Sequence, residues 1–175
     1  MNITAGKFKG RKIIAPNEKI TRPTLSKTRE GVFNTLFSMI DFEEKSFLDM
    51  YAGSGIMGLE ALSRGFCEVV CIEKSLQISK ILKKNYASLG LKPNCYVGDS
   101  IKVVPKIEKT FDVIYIDPPY ASDLYEKSLQ IIKTCNLLKD KGIIILEHSK
   151  PLDFCEFELI KQKIYSQKMV TYLVK

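Results

Sequence analysis

The sequence has no tryptophan and only one histidine among its 175 residues. Its five cysteines are scattered and include no C-x-x-C pair, which argues against both a disulfide framework and a structural zinc site. The lone His148 cannot supply a histidine cluster, so we predict no metal site. Long apolar runs are also missing, since the run at 142–146 has about a quarter of the roughly 20 residues that a membrane helix needs.

The first residues include no apolar segment of the kind that a secretory signal requires. We therefore expect a cytoplasmic protein with no membrane partner. Hydrophobic residues make up 45% of the chain and charged residues 27%, which is the balance of a folded globular protein and excludes a disordered one. The length suits one domain, or one domain with a short appendage.

Positive charge is concentrated at the amino terminus. Residues 1–30 carry eight basic and two acidic side chains, a net charge of +6 out of +7 for the whole chain. This asymmetry indicates contact with a polyanion, most simply a nucleic acid. A solvated basic arm that contacts nothing is the alternative, and composition alone does not separate the two.

Two regions with different patterns divide the chain. Residues 1–25 predict a basic arm, made of a loose two-stranded hairpin at 2–15 and an irregular linker. Residues 26–175 predict the main domain, which begins with an amphipathic helix. Its apolar stripe leaves Lys27 and Arg29 on the solvent side of the helix.

Short apolar segments then alternate with helical patterns. Strands are predicted at 46–51, 68–73, 95–97, 111–117 and 142–147, and helices at 55–65, 75–89, 100–107 and 123–138. This alternation predicts an α/β, Rossmann-like fold with a mostly parallel sheet and helices on both of its faces. Two last strands, 156–161 and 164–174, have only a turn between them and predict an antiparallel hairpin at the carboxyl terminus.

A glycine-rich loop follows the first parallel strand. Gly53, Gly55 and Gly58 spell G-x-G-x-x-G, and Glu73 ends the next strand 20 residues after Gly53. The pattern fits a dinucleotide or S-adenosylmethionine, because both ligands carry a ribose that a carboxylate can bind. Asp49 in front of the loop favours S-adenosylmethionine, since a carboxylate there would repel a pyrophosphate. A purely structural tight turn is the remaining alternative.

The segment Asp117-Pro118-Pro119-Tyr120 ends a strongly apolar strand and is the most specific signal in the chain. Two prolines cannot donate backbone hydrogen bonds and fix a stiff, extended turn. Ligands of open α/β sheets bind at this edge of the sheet. A carboxylate, an unpaired carbonyl and an aromatic ring together can hold a planar exocyclic amine. A proline-rich loop that merely ends a core strand is the alternative.

Class I amino-methyltransferases carry these motifs in the same order, and the chain resembles them at 49–55, 73, 98–100 and 117–120. One family is closer still. The segments that resemble it read GKFKGR at 6–11, TRPT at 21–24, REGVFN at 29–34, GLEALSRG at 58–65 and EHS at 147–149. They look like those of the RsmD-type enzymes, bacterial methyltransferases for a guanine N2 in 16S ribosomal RNA. The resemblance covers nearly the whole chain, but Gly31 stands where alanine is expected and Ser166 where a Tyr-Gly turn is expected.

The resemblance implies S-adenosylmethionine as cofactor and 16S rRNA as partner, either free or in an assembling small-subunit particle. The implied cofactor-binding residues are Asp49, Tyr51, Ala52, Gly53, Ser54, Gly55, Glu73, Lys74, Asp99 and Ser100. The implied catalytic residues, which would hold the guanine, are Asp117, Pro118, Pro119 and Tyr120. The expected RNA contacts are Lys7, Lys9, Arg11, Arg22, Lys27 and Arg29. We expect a monomer.

Three other functions fit part of the sequence. A DNA adenine-N6 or cytosine-N4 methyltransferase shares the D-P-P-Y chemistry, but such enzymes usually carry a larger recognition segment. A nicotinamide oxidoreductase rests on the glycine loop alone and leaves 117–120 unexplained. A catalytically silent RNA-binding module is disfavoured because every motif that the chemistry needs is present.

Overall fold

The computed structural model describes residues 1–16, 26–119, 123–165 and 168–175. Seven strands form one sheet: β1 Ser46–Asp49, β2 Glu68–Glu73, β3 Asn94–Val97, β4 Phe111–Ile116, β5 Leu138–His148, β6 Glu158–Tyr165 and β7 Lys168–Val174. The helices are α1 Ser26–Phe37, α2 Ile56–Ser63, α3 Leu76–Ser88, α4 Ser100–Val103 and α5 Asp123–Thr134, with a 3-10 helix at Val104–Lys106. Among these described helices none is long and apolar enough to cross a bilayer.

The strand order is β3-β2-β1-β4-β5-β7-β6. The first five strands of this order pair in parallel, whereas β7 pairs antiparallel with both β5 and β6. The predicted α/β class and the antiparallel end of the sheet are therefore confirmed. The strand order reverses between β1 and β4, which is where an open parallel sheet opens a crevice at its carboxyl edge.

Each face of the sheet has its own apolar core. On the first face α1, α2 and α3 cover the sheet, and Phe33 stacks on Phe47 with ring centroids 6.0 Å apart. On the second face α4 and α5 pack against side chains such as Ile114 and Leu146. Because both faces are covered, the central strands are apolar along their length. They therefore appear in the sequence as continuous apolar segments.

The amino-terminal arm is docked on α2 through its backbone. It has one antiparallel bridge, Asn2 to Lys12, where two short strands are predicted. In the turn of the arm, the Lys7 N–H donates to the Ser63 carbonyl of α2 at 2.7 Å. At Gly6, with φ of +78°, a Cβ would lie 1.7 Å from the Ser63 carbonyl oxygen, so only glycine allows this approach.

The predicted exposure of Arg29 is wrong. Its side chain is completely buried, where solvent exposure and RNA contact are expected. Glu60 of α2 provides the reason, because it pairs with the Arg29 guanidinium at 3.5 Å and with Arg64 at 3.3 Å and accepts the Thr4 N–H at 2.7 Å. Burial lowers the pKa of Arg29, and the adjacent Glu60 opposes this shift. Arg29 thus joins α1 to α2 and, through a bond of 2.7 Å to the Asn2 carbonyl, to the arm.

The closing hairpin explains the unusual glycine in α1. A Cβ at Gly31 would lie 2.4 Å from the hydroxyl of Tyr165. Glycine at this position therefore leaves room for the tyrosine ring, where alanine would be too close. The strand β6 runs to Tyr165, which shows that the predicted end at residue 161 is too early. The departure at Ser166 and residues 17–25 of the predicted linker (16–25) lie outside the described residues.

Other boundaries differ modestly from prediction. Helix α5 ends at Thr134 and β5 begins at Leu138, whereas the sequence predicts a helix to residue 138 and a strand from 142. The reason is Asn136, whose left-handed backbone (φ of 47°) ends the helix early. Among the five cysteines only Cys71 is buried, whereas Cys95 and Cys135 are partly buried and Cys67 and Cys155 are exposed.

Candidate active site

A cleft of about 550 Å³ lies at the carboxyl edge of the sheet. The predicted site residues that line it are Asp49, Tyr51, Ala52, Ser54, Gly53, Glu73, Lys74, Asp99, Ser100, Asp117, Pro118 and Pro119. Gly55 does not line it but is the N-cap residue that precedes α2, with a φ of 79°. Tyr120 lies outside the described residues. The structure therefore brings the separate motifs of four strands to one cavity.

The glycine loop is held to the neighbouring strand. The Ala52 N–H donates to the Ile72 carbonyl at 2.9 Å, and Gly53 adopts a φ of 53°. A Cβ at Gly55 would lie 2.8 Å from the Leu82 side chain of α3. These contacts leave the loop backbone close to the cleft, where a ligand can approach it without side chains in the way.

Glu73 at the end of β2 is fixed by two backbone donors. The Gly53 N–H donates to one carboxylate oxygen at 2.8 Å and the Ser75 N–H to the other at 2.7 Å. A carboxylate has about four acceptor positions, so these two bonds leave room for a pair of hydroxyl donors. The geometry suits the ribose contact expected of this residue.

Asp99 and Lys74 form the outer wall of the cleft. Asp99 caps α4 by accepting the Ile101 N–H at 3.1 Å, and Lys74 lies 3.1 Å from its other oxygen. The Lys74 hydrogen bond holds the pKa of Asp99 below its ordinary value. Ser100 is buried and donates to the Met50 carbonyl, which ties this wall to the strand that carries the glycine loop.

Asp49 is the buried carboxylate of the cleft. Desolvation by burial raises its pKa to about 8, with smaller contributions from the negative charges of Asp117 and Glu73, and the Tyr51 N–H at 3.3 Å works in the opposite direction. The negative charges of Asp117 and Glu73 oppose a further negative charge on Asp49, so this part of the cavity favours a positive charge. This is the electrostatic condition that a cationic ligand requires.

Asp117, directly after β4, belongs to a network of ion pairs and hydrogen bonds. The Lys168 ammonium lies 3.6 Å from its carboxylate and also forms an ion pair with Glu147. The Tyr115 hydroxyl donates to the second Glu147 oxygen at 2.6 Å. Burial and the Glu147 charge raise the pKa of this tyrosine, so the hydroxyl stays a donor.

Sequence reasoning assigns no role to these neighbours of Asp117. Glu147 belongs to a segment that resembles the family, but nothing in the sequence indicates its partner. Lys168 stands in a closing strand 51 residues after Asp117, and only the strand order β4-β5-β7 brings the two together. No local pattern in the sequence could have found this contact.

His148 is part of the frame of the cleft. One ring nitrogen lies 2.7 Å from the Lys150 carbonyl and the other 2.8 Å from the Thr171 hydroxyl, and burial lowers the pKa of the ring. Since both nitrogens have protein partners, we assign this histidine to structure and not to proton transfer. In the described part of the chain, no group of three or more His, Cys, Asp or Glu side chains is arranged to hold a metal ion.

The residues expected to contact RNA are spread over both edges of the sheet. Lys7, Lys9 and Arg11 are exposed on the turn of the arm, which packs against the end of α2. Because α2 begins at the cleft and runs away from it, this turn lies at the opposite edge. Lys27 is exposed in the first turn of α1, Arg29 is buried, and Arg22 lies outside the described residues.

One buried side chain connects the arm to the cleft. The Asn85 amide donates to the Ser54 carbonyl of the glycine loop at 2.9 Å and to the Ile14 carbonyl of the arm at 3.0 Å. Its oxygen accepts the Ile14 N–H at 2.9 Å. The arm continues from there to Pro16, which lines the cleft. The arm therefore spans the full height of the domain.

A seven-stranded sheet with this order, a glycine loop after β1 and a carboxylate at the end of β2 defines a class I methyltransferase fold. The family model described as "Conserved hypothetical protein 95" matches residues 1–174. The chain belongs to this family, the RsmD-type methyltransferases. Ribosomal RNA small subunit methyltransferase D of Haemophilus influenzae is 34% identical over 172 residues, covering 93% of this chain and 88% of that protein.

Further relatives agree with this membership. The protein of the same name from Escherichia coli K12 is 33% identical over 149 residues, which is 84% of this chain and 74% of that one. Among solved structures, yhhF of Escherichia coli has a TM-score of 0.87 at 26% identity and covers 99% of this chain and 96% of its own. SMU.776, solved in complex with SAH, has a TM-score of 0.64 at 15% identity, covers 85% of this chain and 48% of its own, and shows the fold alone.

Proposed function

We propose that the protein transfers a methyl group from S-adenosylmethionine to the exocyclic N2 amine of a guanine in 16S ribosomal RNA. The observation that carries the proposal is the position of Asp117 and Pro118 in the same cleft as Asp49 and Glu73. One wall thus offers acceptors for an amine and the other offers carboxylates for a cationic cofactor. Relatives named as small-subunit rRNA methyltransferases support this reading.

The cofactor fits the acidic part of the cleft. Glu73 takes the ribose hydroxyls, while Asp49 and the backbone of 52–55 face the methionine portion. Asp99 accepts from the adenine amine, with Lys74 and Ser100 beside it. The methyl group on the sulfonium is already activated, so the protein contributes alignment and electrostatics more than acid or base strength.

Asp117 and the Pro118 carbonyl accept the two N–H hydrogens of the target amine. The lone pair of an aromatic amine is shared with its ring, and these two bonds localise it toward the methyl group. The amine becomes cationic as the new N–C bond forms and the C–S bond of the sulfonium breaks, with its electron pair left on sulfur. The bond to Asp117 therefore strengthens in the transition state. The proton leaves after transfer, which removes the need for a strong base. We assign Pro119 to the stiff turn and Tyr120 to stacking on the flipped base.

The basic arm of residues 1–25 is the RNA-binding region of the proposal and residues 26–175 the catalytic domain. We assign Lys7, Lys9, Arg11, Arg22 and Lys27 to phosphate contacts. The protein acts as a monomer in the cytoplasm, where ribosomal RNA is assembled. Since the arm presents its basic turn far from the cleft, the substrate is a structured RNA that spans both edges, and an assembling small-subunit particle provides such a surface.

A deletion strain tests the function directly. Mass mapping of 16S rRNA nucleotides from that strain should show one guanine that lacks a methyl group, and adding back the gene should restore it. Adding back the gene with Asp117→Ala should not. Fully methylated 16S rRNA in the deletion strain would contradict the proposed function.

A further inference from the structure

Three side chains from three neighbouring strands meet beside the proposed methylation site. The Lys168 ammonium lies 3.6 Å from an Asp117 oxygen and is ion-paired with Glu147. The side chains differ in access: Glu147 is 1% exposed, whereas Asp117 is 21% and Lys168 25% exposed. The buried Glu147 is therefore the anchor, and the ammonium and the Asp117 carboxylate form the accessible surface of the cleft.

Strand register explains why these groups share one wall. Ile116 pairs with Leu146, so Asp117 follows opposite Glu147, and Glu147 itself pairs with Val170 of β7. Lys168 lies two residues before Val170 and so points to the same face of the sheet. With the Tyr115 hydroxyl on its other oxygen, Glu147 is fixed from two sides.

The proposed function requires more than an amine acceptor at this wall. Adenine-N6 and cytosine-N4 methyltransferases share the D-P-P-Y chemistry, so a second contact must distinguish the base. On its Watson–Crick edge guanine carries the N2 amine, the N1–H donor and the O6 acceptor in succession. Adenine and cytosine carry a ring nitrogen acceptor next to their amine. A carboxylate whose two oxygens meet the amine and the adjacent N1–H, followed by an ammonium at O6, complements guanine. In adenine and cytosine the second oxygen would face the ring-nitrogen acceptor instead.

We infer that Lys168 is a specificity-determining residue that donates to O6 of the target guanine while Asp117 accepts from N1–H and N2–H. Glu147 and Tyr115 are positioning residues that hold the ammonium beside Asp117. The inference rests on the proposed function and adds to it the means by which this active site selects guanine. A flipped base is read in this way along its Watson–Crick edge.

The test uses an RNA target that carries either guanine or 2-aminopurine at the methylated position. 2-Aminopurine keeps the reacting N2 amine but has neither O6 nor N1–H. The parent protein should methylate guanine with a kcat/KM at least about tenfold higher. Lys168→Met should lower kcat/KM for guanine by about tenfold or more and leave 2-aminopurine within about twofold, because only guanine loses a bond. The preference for guanine should therefore fall by about tenfold, and the part that remains comes from the N1–H bond to Asp117, which this variant keeps.

The ratio of the two rates separates base reading from a structural role. Replacing a residue that only stabilises the cleft would lower kcat/KM for both RNAs equally and leave the preference for guanine unchanged. Lys163→Met removes the same charge from the neighbouring strand β6, where the lysine is exposed, and should keep the parental preference. The pair Glu147→Gln with Lys168→Met avoids an unpaired buried carboxylate and should show the same reduced preference as Lys168→Met, even if the single variant folds poorly.

The outcomes are distinct. An unchanged preference for guanine in both the Lys168→Met and the paired variant, with guanine methylated by the parent, would overturn the inference and leave the proposed function standing. A parent protein that methylates neither RNA would overturn the proposed function, and the inference with it. A preference reduced by about tenfold in both variants, with the Lys163→Met protein unaffected, supports the assignment.

Discussion

The two ends of the cleft are built in different ways. At the cofactor end, formed by Asp49, Glu73 and Asp99, backbone N–H groups hold the carboxylates. At the base end, formed by Asp117, Glu147 and Lys168, side chains hold one another through ion pairs. Backbone donors stay in place when a neighbour is replaced, whereas coupled side chains respond together. Substitutions at the cofactor end should act locally, and those at the base end should act as a unit.

The largest effect is expected at the base end. Asp117→Ala should lower kcat by roughly 10²-fold, because it removes an acceptor whose bond strengthens in the transition state. Cofactor affinity should change by less than about threefold, since the cofactor end keeps its own donors. Single-turnover methylation at saturating S-adenosylmethionine measures the rate, and calorimetric titration measures the affinity. A parental methylation rate in this variant would place the active site elsewhere.

At the cofactor end, Glu73→Ala should weaken S-adenosylmethionine binding by about 10- to 100-fold, which corresponds to roughly 1.5–3 kcal/mol for charge-assisted hydrogen bonds. Turnover at saturating cofactor should fall much less. Glu68→Ala is the matched control, because Glu68 begins the same strand at the opposite edge and pairs with Lys109. Equal affinities of the Glu73→Ala protein and the control would remove Glu73 from the cofactor site.

Asp49 connects the two ends electrostatically and gives a pH signature. Its pKa is about 8 in the folded protein and about 3.9 in an unfolded chain. The folded state therefore binds more protons between these values, and this contribution to stability falls as the pH rises toward 8. Asp49→Asn cannot ionise, so the Tm of the variant minus that of the parent should increase from pH 5 to pH 8 without cofactor.

The same substitution should act in the opposite sense on binding. Above pH 8 the ionised Asp49 attracts a cationic cofactor, so Asp49→Asn should bind S-adenosylmethionine more weakly than the parent there. The difference in affinity should shrink toward pH 6, where the parent carboxyl is protonated. Thermal unfolding and titration at four pH values check both effects. A pH-independent Tm difference would show that Asp49 titrates in its ordinary range.

The smallest effect concerns the basic turn of the arm, which packs against the end of α2 that lies away from the cleft. Replacing Lys7, Lys9 and Arg11 by glutamine should reduce the slope of log affinity for RNA against log salt by about 2–3, if each side chain meets one phosphate. Turnover of bound RNA should stay at the parental value, since these residues touch neither end of the cleft. Filter binding at four salt concentrations measures the slope.

A charge-matched control separates the arm from general electrostatics. The control variant replaces three other exposed lysines by glutamine: Lys92, Lys106 and Lys141. Its slope should remain near that of the parent. Equal slopes for the arm variant and the parent would show that the arm is a solvated segment without phosphate contacts.

Short sequence patterns predict most of the cofactor end of the cleft but little of its base end. The strand β2 has the predicted bounds, and Glu73 at its end bonds to Gly53 in the adjacent loop. Lys168 reaches Asp117 only through the order of three strands, which no short sequence pattern encodes. The prediction for Arg29 is wrong for the same reason. The helical periodicity indicates an exposed side chain, but Glu60, 31 residues later, gives it a buried partner.

Identifying the methylated nucleoside is the most direct test of guanine-N2 methylation by this protein. The purified protein, S-adenosylmethionine and small-subunit RNA or particles from a deletion strain are incubated, and the RNA is digested to nucleosides for mass spectrometry. The expected product is N2-methylguanosine, formed once per 16S molecule and absent when the Asp117→Ala protein replaces the parent. N6-methyladenosine or N4-methylcytidine as the product, or no methylated nucleoside at all, would contradict this expectation.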